Sequence, residues 1–231
     1  MSGPEAAGAA AHVYVDDLEH PVLSPDDRHH LGRVLRLRRG EPVTVGNGRG
    51  GWRRARFGDE LAVDGPVEHE PAPEPLLAVA FAVLKGERPE LVVQKLTEIG
   101  VDRIVPFQAE RCVARWVGER ADRHVDRLRR VAREAAMQCR RSWIPEVEPV
   151  STFAVVADRP GAALASPGGT TASLQHPLVL IGPEGGWSPG ELDRGLPLVD
   201  LGPHVLRAET AALAAAVLLV AARRGRGATF C

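Results

Sequence analysis

Lysine is almost missing from this chain: only Lys85 and Lys95 carry it, so nearly every fixed positive charge is an arginine. Cysteine is just as sparse. Cys112, Cys139 and Cys231 are odd in number, widely spaced and outside any C-x-x-C or Cys/His cluster, which argues against a disulfide framework or a zinc site. Reduced thiols are expected, with Cys139 filling space on its helix, and no metal is expected. No uncharged apolar run approaches the roughly 18 residues that a membrane span needs. The start, MSGPEAAGAAAH, lacks the basic opening and apolar stretch of a secretory signal. A cytoplasmic protein without a membrane partner is therefore expected. The glycine-rich stretch Ile181–Trp187 contains neither G-K-[ST] nor G-x-G-x-x-G, which argues against phosphate cradling there.

What is present is enough for two packed domains: 231 residues with 44% hydrophobic content. The net charge of −1 conceals a segregation. Between Arg28 and Arg56 lie Arg28, Arg33, Arg36, Arg38, Arg39, Arg49, Arg53, Arg54 and Arg56, opposed inside that stretch by Glu41 alone. The arginine bias explains the choice of arginine over lysine. It does not explain the lack of acids, which favours an anionic partner over a merely solvated face.

The alternation Glu70-Pro71-Ala72-Pro73-Glu74-Pro75 suits an extended connector. It predicts a first domain over residues 1–70, a linker over 71–75 and a second domain over 76–231. In the first, His12–Val15, Pro42–Val45, Trp52–Phe57 and Leu61–Val63 read as short strands. One helix interrupts them, capped by Ser24 with Pro25 in its first turn and Asp27 reaching back to the cap. A small β-barrel with one helix is expected. In the second, strands and helices alternate: Leu76–Leu84 strand, Pro89–Ile99 helix stopped by Gly100, Arg103–Phe107 strand, Arg120–Cys139 helix. Phe153–Val156, Leu178–Ile181 and Val199–Leu201 read as further strands and Arg159–His176 as a loop. Ser188-Pro189-Gly190-Glu191 is a capping box, and Thr210–Arg224 is a last helix ended by Gly225. With Ala, Leu and Val on every face, that helix should be buried all round, against its own sheet and a second subunit. A mostly parallel α/β sheet follows.

Ligands of such sheets bind beyond the carboxyl ends of the strands. Two loops fall there: Ile181-Gly182-Pro183-Glu184-Gly185-Gly186-Trp187, and Leu201-Gly202-Pro203-His204-Val205-Leu206-Arg207-Ala208-Glu209-Thr210. Taken alone, the first is equally a glycine-rich strand-to-helix turn; the pair, followed by an apolar helix, points to a cleft.

At these residues the chain resembles the ribosomal small-subunit methyltransferase E family, within the SPOUT class of trefoil-knotted methyltransferases. The marks are IGPEGG at Ile181–Gly186, LG at Leu201-Gly202 with VLRAETA at Val205–Ala211, QKLTEIGV at Gln94–Val101, EAAMQCRRSWIP at Glu134–Pro145, and HLGRVLRL at His30–Leu37. Ile99 stands where leucine is usual, and Ala208 where a small hydroxyl residue is common. The resemblance implies a PUA-like β-barrel that holds RNA, then an α/β domain whose C-terminal segment is threaded into a knot. It further implies S-adenosylmethionine as cofactor, held by Leu180, Ile181, Gly182, Glu184, Gly185 and Gly186 on one side and by Leu201, Gly202, Val205, Leu206, Arg207, Thr210 and Ala211 on the other.

The implied reaction moves the sulfonium methyl to N3 of a uridine in 16S ribosomal RNA near the decoding centre, the substrate being free RNA or an assembled small subunit. Neutral uridine is unreactive at N3, and a fixed cation near O2 or O4 favours its anion. Arg207 is the candidate for that role; its structural alternative is pairing with Glu209 or with backbone. Glu184 and Glu209 are expected to brace loops rather than act as bases. Arg28, His30, Arg33, Arg36, Arg38, Arg111, Gln138, Arg140 and Arg141 are the candidate RNA contacts. A homodimer is implied by the last helix. The alternatives sharing this pattern are a SPOUT enzyme acting on a ribose 2′-hydroxyl and a non-catalytic RNA-binding assembly factor.

Overall fold

The computed structural model describes residues 3–227; Cys231, expected to be a reduced thiol, lies outside them. The chain divides into two compact units, one made of Met1–Ala72 with Arg133–Ile144, the other of Pro73–Ala132 with Pro145–Cys231. The stretch from Arg133 to Ile144, which the proline-rich connector alone would assign to the second domain, thus belongs with the first.

The first unit carries a four-stranded sheet in the order β1 (Ala11–Tyr14), β2 (Pro42–Gly46), β3 (Gly51–Arg56), β4 (Ala62–His69). β1 and β2 run parallel, the other pairs antiparallel. Helix α1 (Pro25–His29) begins as expected: Ser24 Oγ accepts from Asp27 N at 3.0 Å and donates to the Asp27 carboxylate at 2.8 Å. It then widens into a π-type turn over His30–Val34, where Leu35 N reaches back to His30 O. Val13, Leu31, Val43, Val45 and Ala55 form its small core.

The second unit is built on a parallel sheet in the order β11 (Leu198–Asp200), β9 (Ala162–Thr171), β10 (Leu178–Ile181), β5 (Ala78–Ala82), β6 (Arg103–Gln108), β7 (Glu146–Val147), with β8 (Ser151–Thr152) also on β6. Every residue of β5 and β10 is buried, as an unbroken apolar run requires when both faces are covered. Helix α2 (Arg88–Ile99) buries Val92, Val93 and Leu96 and ends at Gly100, whose φ of 112° only glycine adopts readily. Helix α3 (Gly118–Gln138) crosses the division of the chain, its residues from Arg133 belonging to the first unit.

Three expectations are corrected here. Phe153–Val156 is not a strand: helix α4 (Phe153–Ala157) starts there, with Thr152 Oγ1 accepting from Val155 N. A four-residue apolar run has no period of its own, and the cap decides its form. The stretch Arg159–His176 is not a loop but contains β9, whose pairing with β11 jumps from Leu164 at Leu198 to Thr170 at Val199. The intervening Ala165–Gly169 bulges out, and a Cβ on Gly169 would sit 2.4 Å from the Leu198 carbonyl. Last, beyond the short helix α5 (Pro189–Leu192), helix α6 (Ala208–Gly227) starts earlier than Thr210 and runs past Gly225. Within the chain alone one side of it stays open, the side for which a second subunit is expected. Ala212, Ala215, Ala216 and Leu219 are buried while Val217 is 52% exposed, because α2 and β5 cover only one face. Its far end is held where Arg223 pairs with the buried Asp102 and donates to the Pro75 and Gly100 carbonyls.

Candidate functional site

At the carboxyl ends of β10 and β11 lies a cavity of about 540 Å³. Ile181, Gly182, Glu184 and Gly186 line it from the first glycine loop, Leu201, Gly202, Val205, Leu206 and Arg207 from the second, and Ala211 from α6. Leu180, Gly185 and Thr210 are outside its lining. Leu180 is wholly buried in the sheet, Gly185 faces Arg111, and Thr210 lies exposed on α6 outside the cavity lining. A wall that the sequence reading omitted comes from the β9 bulge, through Ala165, Ser166 and Pro167.

The first loop is tightly fixed. Gly186 takes φ 70° and its amide donates to Pro183 O at 2.8 Å, closing a turn. Glu184 pairs with Arg88 at 2.7 Å. Arg111 donates to the carbonyls of Gly185 at 3.2 Å and Trp187 at 3.0 Å. The expected capping box is complete: Glu191 accepts from Ser188 N at 2.8 Å while Ser188 Oγ accepts from Glu191 N at 3.2 Å. The other Glu191 oxygen accepts from Glu110 N at 2.9 Å. Trp187 stacks on Phe107 with centroids 6.2 Å apart, and its Nε1 donates to Ala165 O at 2.9 Å. A Cβ on Gly182 would come within 3.0 Å of that indole, so glycine is needed for the close approach.

The second loop is open. Asp200 accepts from Gly202 N at 2.9 Å and from Gly168 N at 3.0 Å, and these amides hold its carboxyl below the usual carboxylate range. Beyond Gly202 the side chains of His204, Val205 and Arg207 are exposed. The Arg207 carbonyl accepts from Ala211 N at 2.8 Å and so starts α6. Among the described residues no acid or carbonyl pairs with its guanidinium, neither Glu209 nor backbone. A cavity of about 580 Å³ opens at the other ends of the strands. Its charges satisfy one another there: Arg159 binds Glu148 at 2.9 and 2.7 Å, and Arg103 bridges Glu146 and Glu148. That network is structural.

A family model described as an RNA methyltransferase domain matches residues 71–220, and one described as an RNA methyltransferase PUA domain matches residues 23–60. The chain is 35% identical to the ribosomal RNA small subunit methyltransferase E of Mycobacterium bovis, over 87% of this chain and 88% of that one. It belongs to the ribosomal RNA small subunit methyltransferase E family. A Legionella pneumophila methyltransferase structure with its cofactor SAM bound is 31% identical, covers 91% of this chain and 97% of its own, and gives a TM-score of 0.77. The Neisseria gonorrhoeae ribosomal RNA small subunit methyltransferase E bound to S-adenosyl methionine is 28% identical, with coverage of 90% and 95% and a TM-score of 0.70.

Within this family member, the expected RNA contacts fall into two groups. Arg28 is turned onto the Gly58 and Asp59 carbonyls, whereas His30, Arg33, Arg36 and Arg38 are exposed, Arg36 at φ 57°. The arginine cluster is less free than its sequence suggests. Arg53 is buried on Leu18 O and Glu19, Arg39 pairs with Asp59, and Arg56 pairs with Asp64, so acids from outside the stretch neutralise part of it. Gln138, Arg140 and Arg141 lie in the first unit too. Gln138 is exposed at the end of α3, Arg140 reaches Ala10 O at 3.4 Å, and Arg141 O accepts from the Tyr14 hydroxyl at 2.6 Å. Arg111 belongs to the second unit and touches the glycine loop. Cys139 is half-buried with its thiol toward Ala136 O, and burial pushes the Cys112 thiol up. Among the described residues, no cluster of three His, Cys, Asp or Glu could hold a metal, and no helix is long and apolar enough to cross a membrane.

Proposed function

We propose that this chain transfers a methyl group from S-adenosylmethionine to N3 of a uridine in 16S ribosomal RNA, acting in the cytoplasm. The observation that carries this reading is an arginine with no partner among the described residues, lining a cavity built from two loops, in a member of this family.

The residues fit the cofactor. The cavity volume falls within the range of about 300–1,000 Å³ common for small-molecule sites. Ile181, Leu201 and Leu206 offer apolar walls for an adenine, and the glycine loops expose backbone groups to it. Asp200 and Glu184 offer carboxylates to a cationic ligand. The cofactor supplies an electrophilic methyl on a sulfonium. The protein must orient a uridine toward it and help N3 lose its proton. In this reading Arg207, which no acid pairs among the described residues, stabilises charge on a uracil oxygen, and that stabilisation lowers the N3 pKa. Glu184, held by Arg88, and Asp200, held by two amides, brace the loops.

The exposed His30, Arg33, Arg36 and Arg38 of the first unit, with Gln138, Arg140 and Arg141, form the RNA-holding surface in this reading. The open side of α6, with Leu213 and Val217, serves a second copy of the chain. The C-terminal segment is read as knotted, in keeping with β10 and β11 flanking β9 although they follow one another in sequence. The test is mass mapping of nucleosides in 16S RNA from a deletion strain: one missing 3-methyluridine, restored by this gene, is expected. Restoration of a 2′-O-methyl mark instead, or no S-adenosylmethionine binding by calorimetry, overturns the reading.

A further inference from the structure

We infer that Arg111 is a positioning residue for the cofactor loop and not a contact to RNA phosphate. This rests on the proposed cofactor reading of the cavity. The loop approaches Arg111 closely: a Cβ on Gly185 would lie 3.3 Å from the Arg111 Cβ and 3.4 Å from its carbonyl oxygen. The Arg111 guanidinium then donates to Gly185 O and Trp187 O.

A peptide unit is planar, so fixing its carbonyl and its amide together fixes the orientation of the plane. The unit joining Gly185 to Gly186 has its carbonyl on Arg111 and its amide on Pro183 O at 2.8 Å. The unit joining Trp187 to Ser188 has its carbonyl on Arg111 and its amide on Glu191 at 2.8 Å. Both planes are therefore pinned at both ends, and Arg111 supplies one end of each. Its own base is ordered as well. Glu110 N is held by Glu191, Ala109 N donates to Cys112 Sγ, and Gln108 donates to Ala114 O at 2.9 Å and accepts from Trp116 N at 3.3 Å. Both bonds come from one terminal nitrogen, Nη1, whose two hydrogens are fixed in the guanidinium plane; a lysine ammonium turns freely about its last bond and does not hold that direction.

Removing Arg111 leaves a loop that must order itself as the ligand binds, and preorganisation is what affinity then loses. In R111A the calorimetric Kd for S-adenosylmethionine is expected to rise about tenfold, with R111K recovering little of it. The cofactor KM should rise by more than kcat falls. RNA affinity and its salt slope should stay as in the unaltered chain. A cofactor Kd within twofold of the unaltered chain in R111A, or in R111Q should R111A not fold, overturns the inference. So does unchanged cofactor affinity with a salt slope reduced by about 1. Failure of the unaltered chain to bind S-adenosylmethionine sinks the functional reading instead. Hydrogen exchange then still decides the positioning role: the Gly186 and Ser188 amides must exchange faster in R111A, and unchanged protection overturns it.

Discussion

The two units put their buried polar groups to different uses. In the first, His12, Thr44, Asp27 and Arg53 lie inside a small core: His12 Nδ1 and Thr44 Oγ1 share a 2.8 Å hydrogen bond, and Asp27 takes Arg133 at 2.8 and 3.2 Å. In the second, β5 and β10 are wholly apolar, and apart from Thr97 on α2 the buried polar groups lie beyond strand ends, Asp102 with Arg223 on one side and Ser188 and Glu191 beside the first glycine loop on the other. A short sheet with few apolar residues depends on buried hydrogen bonds for its shape, whereas a large sheet is held by its core and can leave its edge to chemistry. Stability of the first unit should therefore respond to protons, and function of the second to single edge residues.

The largest test of that contrast is Arg207→Ala. Methyl transfer should fall about 100-fold or more, while the melting temperature and the cofactor Kd stay near those of the unaltered chain; a drop in stability would return Arg207 to a structural role. Next comes acid. Burial lowers the His12 pKa to about 4 from an ordinary 6.5, so between those values the unfolded chain binds the proton that the folded one refuses. The His12 contribution should be complete above pH 6.5, decline as pH falls toward 4 and level off below that, a loss of about 3 kcal/mol, with the loss from the lowered Asp27 carboxyl coming only at still lower pH. Denaturant unfolding followed by exchange of the β1 and β2 amides measures it, and His12→Leu should flatten the curve. A smaller effect is expected from Trp187→Phe, which removes the hydrogen bond to Ala165 O; about 1 kcal/mol of stability should go together with a severalfold weaker cofactor affinity. Least of all, replacing Arg33 and Arg36 together by alanine should leave stability within about 0.5 kcal/mol. It should also flatten the salt dependence of RNA binding by a slope of about 1 to 2. An unchanged slope removes that face from the RNA surface.

Much of this was legible in residue order. The runs at β5 and β10 and the periodicity of α2 and α3 carry their own signals, and the glycines at Gly182, Gly185, Gly186 and Gly202 located the cavity loops. What escaped was non-local. Arg111 and its carbonyl partners are 74 and 76 residues apart, and Arg88 and Glu184 are separated by 96, so no local pattern announces them. Arg111 read as one more surface cation because the carbonyls it holds have no signature. Trp187 likewise looked like the end of a turn, though its ring and Nε1 join two loops. β9 was hidden by Pro167, Gly168 and Gly169, which resemble a surface loop until Gly169 is seen pressed against Leu198.

The bulge Ala165–Gly169 leaves the β9–β11 ladder after Leu164 and rejoins it at Thr170. Residues can therefore be gained or lost inside it without shifting the pairing on either side. Selection can widen or narrow one wall of the cavity by changing loop length alone, leaving the sheet that supports the chemistry untouched.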